Sequence, residues 1–290
     1  MRRIWVLRVT LLLVLLILSL MVVTSDTARP KPSPIQQPNP TPFVLRLISD
    51  PKVKEVQEAH FMIKAEHPTG IKAGTGVAVD QELILTVFHL VGSNKTGEIT
   101  ATEIRITQPH MPWKEWYALA EVVATDPSLD LAVLKFERHR KLPSLSFGDP
   151  SQLRPGEVVY LIGHEFFPDG VGLLYPRDAE IAEGFAPESP FFGVTPWVIR
   201  GFSGGGVFNL QHELVGIAIK DYILFDTIKE GDRTYKIVEQ GTIVTRINWA
   251  IHLLKKEEKQ RSQSLGFIPK SIVSIEGCAT LPKGERTPGV

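Results

Sequence analysis

A succession of short apolar runs between about residues 52 and 255 constrains the fold of this chain most strongly. The runs are β-branched or aliphatic, and Gly, Pro, Asp or Asn residues separate them. Many short strands with regular turn signals are typical of β-barrels and β-sandwiches, not of βαβ units. The sequence therefore predicts an all-β body, with strands at residues 56–63, 75–79, 83–87, 103–107, 117–123, 131–136, 158–162, 197–200, 207–209, 214–220, 235–239 and 241–245.

One helix is predicted at the end of this body, over residues 246–261. Ile247, Ala250, Ile251 and Leu254 recur there at helical spacing, and a charged segment follows them. Residues 262–290 have no strong period and are predicted to be a tail.

The first 24 residues predict either a signal peptide or a membrane anchor. Arg2, Arg3 and Arg8 precede an apolar run over residues 9–23. The arginines should remain on the cytoplasmic side, so the rest of the chain is expected outside, in the cell envelope or secreted. A proline-rich linker is predicted over residues 25–50, with its prolines between residues 30 and 42 favouring an extended spacer.

Charge and cysteine content exclude several function classes. Lys+Arg and Asp+Glu both number 32, and this balance argues against a nucleic-acid partner, which would require a basic face. The single cysteine, Cys278, cannot form an intramolecular disulfide and excludes a cysteine-based zinc site. No metal and no cofactor are expected. His164 and Glu165 resemble a fragment of a metal motif, but without H-E-x-x-H they are predicted to be a surface turn.

Ser203 lies in a glycine-rich segment, residues 201–206, that allows two chemical interpretations. One is the nucleophile elbow of α/β-hydrolases, and the other is the G-x-S-G-G nucleophile loop of chymotrypsin-type proteases. A plain glycine-rich turn is the non-catalytic alternative. An elbow needs a helix after the serine, whereas this segment continues into predicted strands. That context favours the order His, Asp, Ser.

His89 and Asp130 complete such a series upstream of the serine. His89 ends an apolar predicted strand, and Asp130 precedes another. Each signal is weak alone, since a histidine in an apolar run is commonly a core residue and an aspartate before a strand is commonly a turn residue. Their order with Ser203, each beside a strand, is much harder to obtain by chance.

Several segments of the chain resemble motifs of the trypsin-like serine proteases. They are GTGVAVD, LILTVFH, DLAVLK, and G-x-SGG followed by LVGI. They are most similar to the disulfide-free bacterial Deg/HtrA branch, over about residues 55–255. The resemblance implies two six-stranded antiparallel barrels of the chymotrypsin fold, near 52–145 and 152–245, closed by the C-terminal helix. The protease domain would span residues 51–261, with the chain crossing between barrels at 142–155.

The resemblance also implies the site. Ser203 would be the nucleophile, His89 its base, Asp130 the orienting acid, and the N–H groups of Gly201 and Ser203 the oxyanion hole. The expected partners are polypeptide substrates, besides a membrane through the N-terminal segment. The substrate pocket, expected to prefer an apolar P1 residue, would be lined by Thr195, Pro196, Trp197, Ile217, Ala218 and Ile219.

Three departures distinguish the chain from the family pattern. Val87-Phe88 replaces a small pair before the histidine, Phe202 replaces Asp or Asn before the serine, and Gly206 replaces a proline. Without an aspartate at residue 202, no trypsin-style zymogen activation is expected. About 29 residues follow the helix, too few for the PDZ domain of Deg/HtrA proteases. The alternatives are a catalytically inactive domain that binds peptides or partners and, more weakly, an elbow-type esterase.

Overall fold

The computed structural model describes residues 42–108, 117–137, 141–166, 172–182, 185–186, 188–196, 200–230 and 233–265. The predicted anchor, most of the linker, Trp197, Cys278 and nearly all of the tail lie outside these ranges. Among the described helices, none is long and apolar enough to cross a membrane.

The first half of the described chain closes into a six-stranded barrel. Its strands follow the order β1-β2-β3-β8-β7-β6, and every neighbouring pair is antiparallel. A two-stranded sheet, β4 and β5, lies between β3 and β6 in the sequence. The strands are β1 His60–His67, β2 Gly70–Ala78, β3 Leu83–Val87, β4 Gly92–Ser93, β5 Glu98–Ile99, β6 Glu103–Thr107, β7 Tyr117–Asp126 and β8 Leu131–Phe136.

The second half closes into another antiparallel barrel, with the order β10-β11-β14-β13-β12-β9. Together the two barrels confirm the predicted all-β class with six strands in each. Because the named strands pair antiparallel, the sheet of an elbow-type esterase is excluded. The strands are β9 Val158–Phe166, β10 Gly172–Ile181, β11 Phe191–Thr195, β12 Gly206–Phe208, β13 Leu214–Glu230 and β14 Arg233–Arg246.

Within the described residues, four helices accompany the barrels. The predicted C-terminal helix is present as α4, with Ile247 and Ala250 fully buried. Two short helices, α1 and α2, precede β1, and a four-residue helix, α3, follows β3. The helices are α1 Pro42–Ser49, α2 Pro51–Gln57, α3 Phe88–Val91 and α4 Ile247–Leu265.

Several predicted boundaries are corrected by these elements. The predicted strand at 56–63 is the end of α2 followed by β1, and the last residues of the predicted linker form α1. The two strands predicted at 235–239 and 241–245 are one strand, β14. The sequence did not predict β10 or β11 as strands.

The buried apolar side chains of the described residues form two clusters. The larger one occupies the first barrel and continues onto β13 and α4, where Ile217, Ile219 and Ile247 join it. The smaller one fills the second barrel and includes Phe192, Phe202 and Val244. Burial of these side chains supplies most of the folding free energy, which matters in a chain with one cysteine. Through Phe202, the glycine-rich segment 201–206 packs against the smaller cluster.

Candidate active site

His89 is held on α3, where the chain leaves the first barrel. Val87 is still extended, and the helix starts without a side-chain cap. The ammonium group of Lys72 donates hydrogen bonds to the carbonyls of His89, at 2.7 Å, and Gly92, at 2.9 Å, so it satisfies the carboxyl end of the helix. Val87 and Phe88, the predicted departures, are both fully buried and anchor this turn in the core.

Asp130 binds His89 through both of its carboxylate oxygens. Oδ2 accepts a hydrogen bond from His89 Nδ1 at 2.7 Å, and Oδ1 accepts one from the His89 N–H at 2.8 Å. The Asp130 carbonyl also accepts from the Phe88 N–H at 3.0 Å. The acid side chain is only 9% exposed, whereas that of His89 is 34% exposed. Asp130 therefore fixes the ring orientation with Nδ1 protonated and leaves Nε2 for chemistry.

The nucleophile segment turns tightly between residues 200 and 206. Gly201 and Gly204 have φ angles of +107° and +88°, in the region that favours glycine. The Gly205 N–H donates to the Phe202 carbonyl at 2.7 Å, which closes a β-turn around Ser203 and Gly204. Gly204 in turn donates to the Ala218 carbonyl at 2.7 Å, so the loop is tied to β13.

Four consecutive carbonyls of this loop accept hydrogen bonds from protein donors. The partners are the Phe166 N–H for Arg200 (3.2 Å), Thr75 Oγ1 for Gly201 (2.7 Å), the Gly205 N–H for Phe202 (2.7 Å) and the Thr75 N–H for Ser203 (2.8 Å). In a trans peptide the N–H points opposite to the carbonyl. Within the described residues, no hydrogen bond uses the N–H of Gly201 or Ser203. Both groups are consequently available to an incoming oxyanion.

Phe202 fixes the loop from the core side. Its ring is fully buried and meets Tyr175 edge-on, with 5.4 Å between ring centroids. Gly163 provides the space, because a Cβ there would lie 2.6 Å from the Phe202 ring. Burial raises the pKa of Tyr175. The hydrogen bond with Glu165 and the negative charge of Glu165 raise this pKa further. The tyrosine hydroxyl therefore stays protonated and donates to Glu165 Oε2 at 3.0 Å.

Ser203 and the α3 helix meet over Gly74 of β2. A Cβ at Gly74 would lie 2.5 Å from Leu90 Cδ1 and 2.8 Å from the Ser203 carbonyl oxygen. The loop carrying the serine thus packs beside the helix carrying the histidine. The structure joins His89 directly to Asp130, but the hydrogen bonds of the described residues include none between Ser203 Oγ and His89.

The predicted pocket residues have mixed positions. Ile217, Ala218 and Ile219 are buried on β13. Ile217 and Ile219 contribute to the larger apolar cluster, and Ala218 to the smaller one. Thr195 is half-buried at the end of β11, Pro196 is exposed, and Trp197 lies outside the described residues. Their role as a substrate pocket stays a prediction.

Two residues of the site were not singled out by the sequence. Thr75 lies in the GTG segment, between two glycines, and Lys72 lies on the same strand. The GTG segment was used only for the family resemblance, which does not say which hydroxyl or ammonium group makes these contacts. His164, predicted in a surface turn, is fully buried on β9 and contacts Thr75.

Comparison with known proteins supports the resemblance to trypsin-like serine proteases. Residues 74–217 match the trypsin-like peptidase domain. A protein named probable periplasmic serine endoprotease DegP-like from Bartonella henselae is 39% identical over 101 residues, which are 34% of this chain and 20% of that protein. A protein of the same name from Rickettsia prowazekii is 26% identical over 160 residues, 53% of this chain and 29% of that protein. The chain spans about a fifth of the length of the first of these relatives.

Solved structures share the fold at low sequence identity. The HtrA-type protease AlgW with a tripeptide has a TM-score of 0.53 and 20% identity, covering 75% of this chain and 64% of that one. An inactive form of Rv3671c from M. tuberculosis H37Rv has a TM-score of 0.51 and 20% identity, covering 78% of this chain and 97% of that one.

Proposed function

Since this chain belongs to the trypsin-like serine proteases of the Deg/HtrA branch, we propose that it is an endopeptidase working through a His89–Asp130–Ser203 triad. The observation that carries the proposal is the pairing of both Asp130 oxygens with His89, opposite a loop whose N–H groups at Gly201 and Ser203 are available. A general base and an oxyanion site are the two requirements of acyl transfer to serine.

In the acylation step, Ser203 Oγ attacks the carbonyl carbon of the scissile peptide bond while His89 Nε2 takes its proton. The C=O π electrons move onto oxygen, and the N–H groups of Gly201 and Ser203 stabilise the oxyanion. Asp130 stabilises the imidazolium that forms. The C–N bond then breaks, and His89 returns the proton to the leaving amine.

Deacylation repeats the same chemistry with water. His89 removes a proton from a water molecule, whose oxygen attacks the ester carbonyl of the acyl-enzyme. Collapse of the second tetrahedral intermediate breaks the bond to Ser203 Oγ, which regains its proton from His89. The products are a peptide carboxylic acid and the regenerated hydroxyl, and no metal or cofactor takes part.

Turnover by the full chain tests this function. The purified protein should cleave an unfolded substrate such as casein, and Ser203→Ala and His89→Ala should each abolish cleavage. Neither position is fully buried, so both variants are expected to fold. Absence of cleavage by the unaltered chain, or unchanged cleavage by Ser203→Ala, would contradict the proposal.

A second candidate is a domain that binds peptides without cleaving them. It is favoured by the missing hydrogen bond between Ser203 Oγ and His89. The same preparation distinguishes the two, because a binding domain retains casein equally well with and without Ser203 and leaves it intact. Cleavage that depends on Ser203 excludes this candidate.

The substrate preference follows from the predicted pocket. Thr195, Pro196, Trp197, Ile217, Ala218 and Ile219 carry no charge, so an apolar P1 side chain is proposed. Cleavage-site profiling on a peptide library should show aliphatic or aromatic residues at P1. A strong preference for Arg or Lys there would contradict the assignment.

The site of action is proposed to be outside the cytoplasm, with residues 1–24 as anchor or cleaved signal. Arg2, Arg3 and Arg8 before the apolar run support this orientation. Alkaline phosphatase fused after residue 50 should be active in a bacterial host and inactive when residues 1–24 are removed. An inactive fusion with the complete leader would contradict the proposal.

A further inference from the structure

Thr75 connects the first barrel to the nucleophile loop of the second barrel through two separate hydrogen bonds. The residue lies on β2 and is fully buried. Its main-chain N–H donates to the Ser203 carbonyl at 2.8 Å, and its hydroxyl donates to the Gly201 carbonyl at 2.7 Å. One residue therefore holds the loop on both sides of Phe202.

The hydrogen-bonding capacity of this hydroxyl is completely used. A carbonyl can only accept, so the single O–H of Thr75 is committed to Gly201. The oxygen accepts the main-chain N–H of His164 at 2.8 Å and lies 3.2 Å from His164 Nδ1. With no second proton to give, the Thr75 oxygen can only accept from that ring nitrogen. The contact therefore requires the Nδ1–H tautomer of His164.

The carbonyl held by the hydroxyl occupies a sensitive place in the loop. The Gly201–Phe202 peptide lies between the two peptide groups that carry the N–H of Gly201 and the N–H of Ser203. Gly201 has a φ of +107°, and a glycine peptide can rotate with little steric resistance. The two flanking peptides turn relative to each other when ψ of Gly201 or φ of Phe202 changes without compensation by the other torsion. Such a change redirects the Gly201 and Ser203 N–H groups relative to each other.

We infer that Thr75 is a positioning residue for the oxyanion site: its hydroxyl locks the Gly201–Phe202 peptide so that both N–H groups face the substrate. The inference rests on the proposed endopeptidase function. It makes the oxyanion geometry depend on the alignment of the two barrels, since the hydroxyl and the loop come from different barrels. Phe202 fixes the loop from one side, and Thr75 fixes it from the other.

Thr75→Val tests the inference, because valine keeps the shape and removes the hydroxyl. With a peptide substrate chosen by cleavage profiling, kcat of the full chain should fall about 10- to 100-fold, less than or equal to the loss of one direct oxyanion donor. KM should stay within about threefold, since ground-state binding does not use the oxyanion site. Thr75→Ser, which restores the hydroxyl, should recover most of kcat.

A peptide aldehyde provides a readout that general destabilisation does not move. Its hemiacetal with Ser203 places an oxygen in the oxyanion site, so its affinity should fall in parallel with kcat. Tyr160→Phe is the matched control: it removes another buried hydroxyl, bonded to His212 at 2.9 Å, and should leave kcat and aldehyde affinity unchanged. A folded Thr75→Val protein with unaltered kcat and aldehyde affinity would overturn the inference.

A measurement on the unsubstituted chain keeps the inference testable without turnover. Nitrogen-15 NMR of the histidine rings should identify His164 as the Nδ1–H tautomer, and the Nε2–H tautomer would overturn the hydroxyl arrangement. Complete inactivity of the unsubstituted chain, by contrast, would count against the endopeptidase function, while the His164 tautomer would still decide the Thr75 contacts.

Discussion

Asp130 has both an unusual backbone conformation and two hydrogen bonds to His89. Its φ of +52° lies in the left-handed region, which aspartate tolerates better than most side chains. Glycine or asparagine would satisfy the backbone equally, but only a carboxylate accepts from both the ring and the main chain of His89. The sequence predicted the partner, whereas the strained backbone follows from the turn that precedes β8.

Asp130→Asn should reduce kcat by about 10⁴-fold with little loss of stability. An amide nitrogen facing His89 Nδ1 would favour the wrong ring tautomer. Steady-state kinetics with the peptide substrate measure the effect. Asp149→Asn, on the segment between the barrels, is the control and should stay within about threefold of the unsubstituted rate. A loss below about tenfold in Asp130→Asn would contradict the assigned role.

Phe202 is an apolar, buried residue at a position where the family usually has Asp or Asn. Phe202→Ala should lower the free energy of unfolding by about 3–5 kcal/mol and also slow catalysis, because the cavity frees the nucleophile loop. Phe136→Ala is the matched control for Phe202→Ala, since the Phe136 ring is buried in the first barrel. Its ring centroid lies 5.3 Å from that of Phe61. The control should lose similar stability in urea titrations but keep kcat at a temperature where both variants are folded. Equal kcat values for the two variants would contradict an anchoring role.

At the scale of elements, α3 is too short to be stable by itself. It has four residues and no side-chain cap, and an isolated helix of this length has almost no stability in water. Its position comes from buried Val87 and Phe88 and from Lys72 at its carboxyl end. The helix that carries His89 is thus stabilised by tertiary contacts and not by its own sequence.

Lys72→Met should therefore destabilise the chain by about 1–2 kcal/mol and lower kcat, because two carbonyls lose a charged donor. Circular dichroism in urea and steady-state kinetics measure the two effects. Lys52→Met, in a pair with Glu55 where the lysine is 49% exposed, should change stability by less than about 0.5 kcal/mol. Equal effects of the two substitutions would contradict the capping role.

Helices and strands differed in how well the sequence predicted them. Strand β8 matches its prediction, because a run of apolar residues is bounded by clear turns. Pro42 was predicted to lie in an extended linker, but proline is tolerated in the first turn of a helix, and Pro42 begins α1. Pro51 likewise begins α2, which Asp50 caps. Strand β10 was not predicted because it contains Pro176, Arg177 and Asp178, of which the proline and the aspartate are unfavourable in strands. It forms by pairing with β9, which is a tertiary effect.

For the whole molecule, the order His89, Asp130, Ser203 of the proposed triad was predicted because each residue flanks a predicted strand. The family resemblance then implied the two barrels, which the structure contains. The contacts that join the barrels were not readable, since they involve single side chains far apart in sequence. Thr75 with the nucleophile loop is one such contact. Arg246 makes a related contact between the second barrel and the segment that connects the barrels. Its guanidinium donates to Ser189 O and Pro150 O and lies 5.4 Å above the Phe192 ring.

Arg246→Met should lower the free energy of unfolding by about 1–3 kcal/mol, because the buried carbonyls lose charged donors while the apolar stem is kept. Arg105→Met, whose side chain is 50% exposed beside Glu103, should leave the free energy of unfolding nearly unchanged, because exposed ion pairs contribute little. Urea unfolding of the two variants provides the comparison. An unaltered midpoint in Arg246→Met would contradict its role in holding the inter-barrel segment.

In the proposed function, Ser203 is a nucleophile activated by His89 and Asp130. Intact-mass and peptide-mass analysis of the full chain after treatment with a fluorophosphonate tests it most directly. We expect one adduct, located on Ser203, that is absent in Ser203→Ala and forms far more slowly in His89→Ala and Asp130→Asn. A chain that gains no adduct, or that is labelled equally well without Ser203, would contradict it.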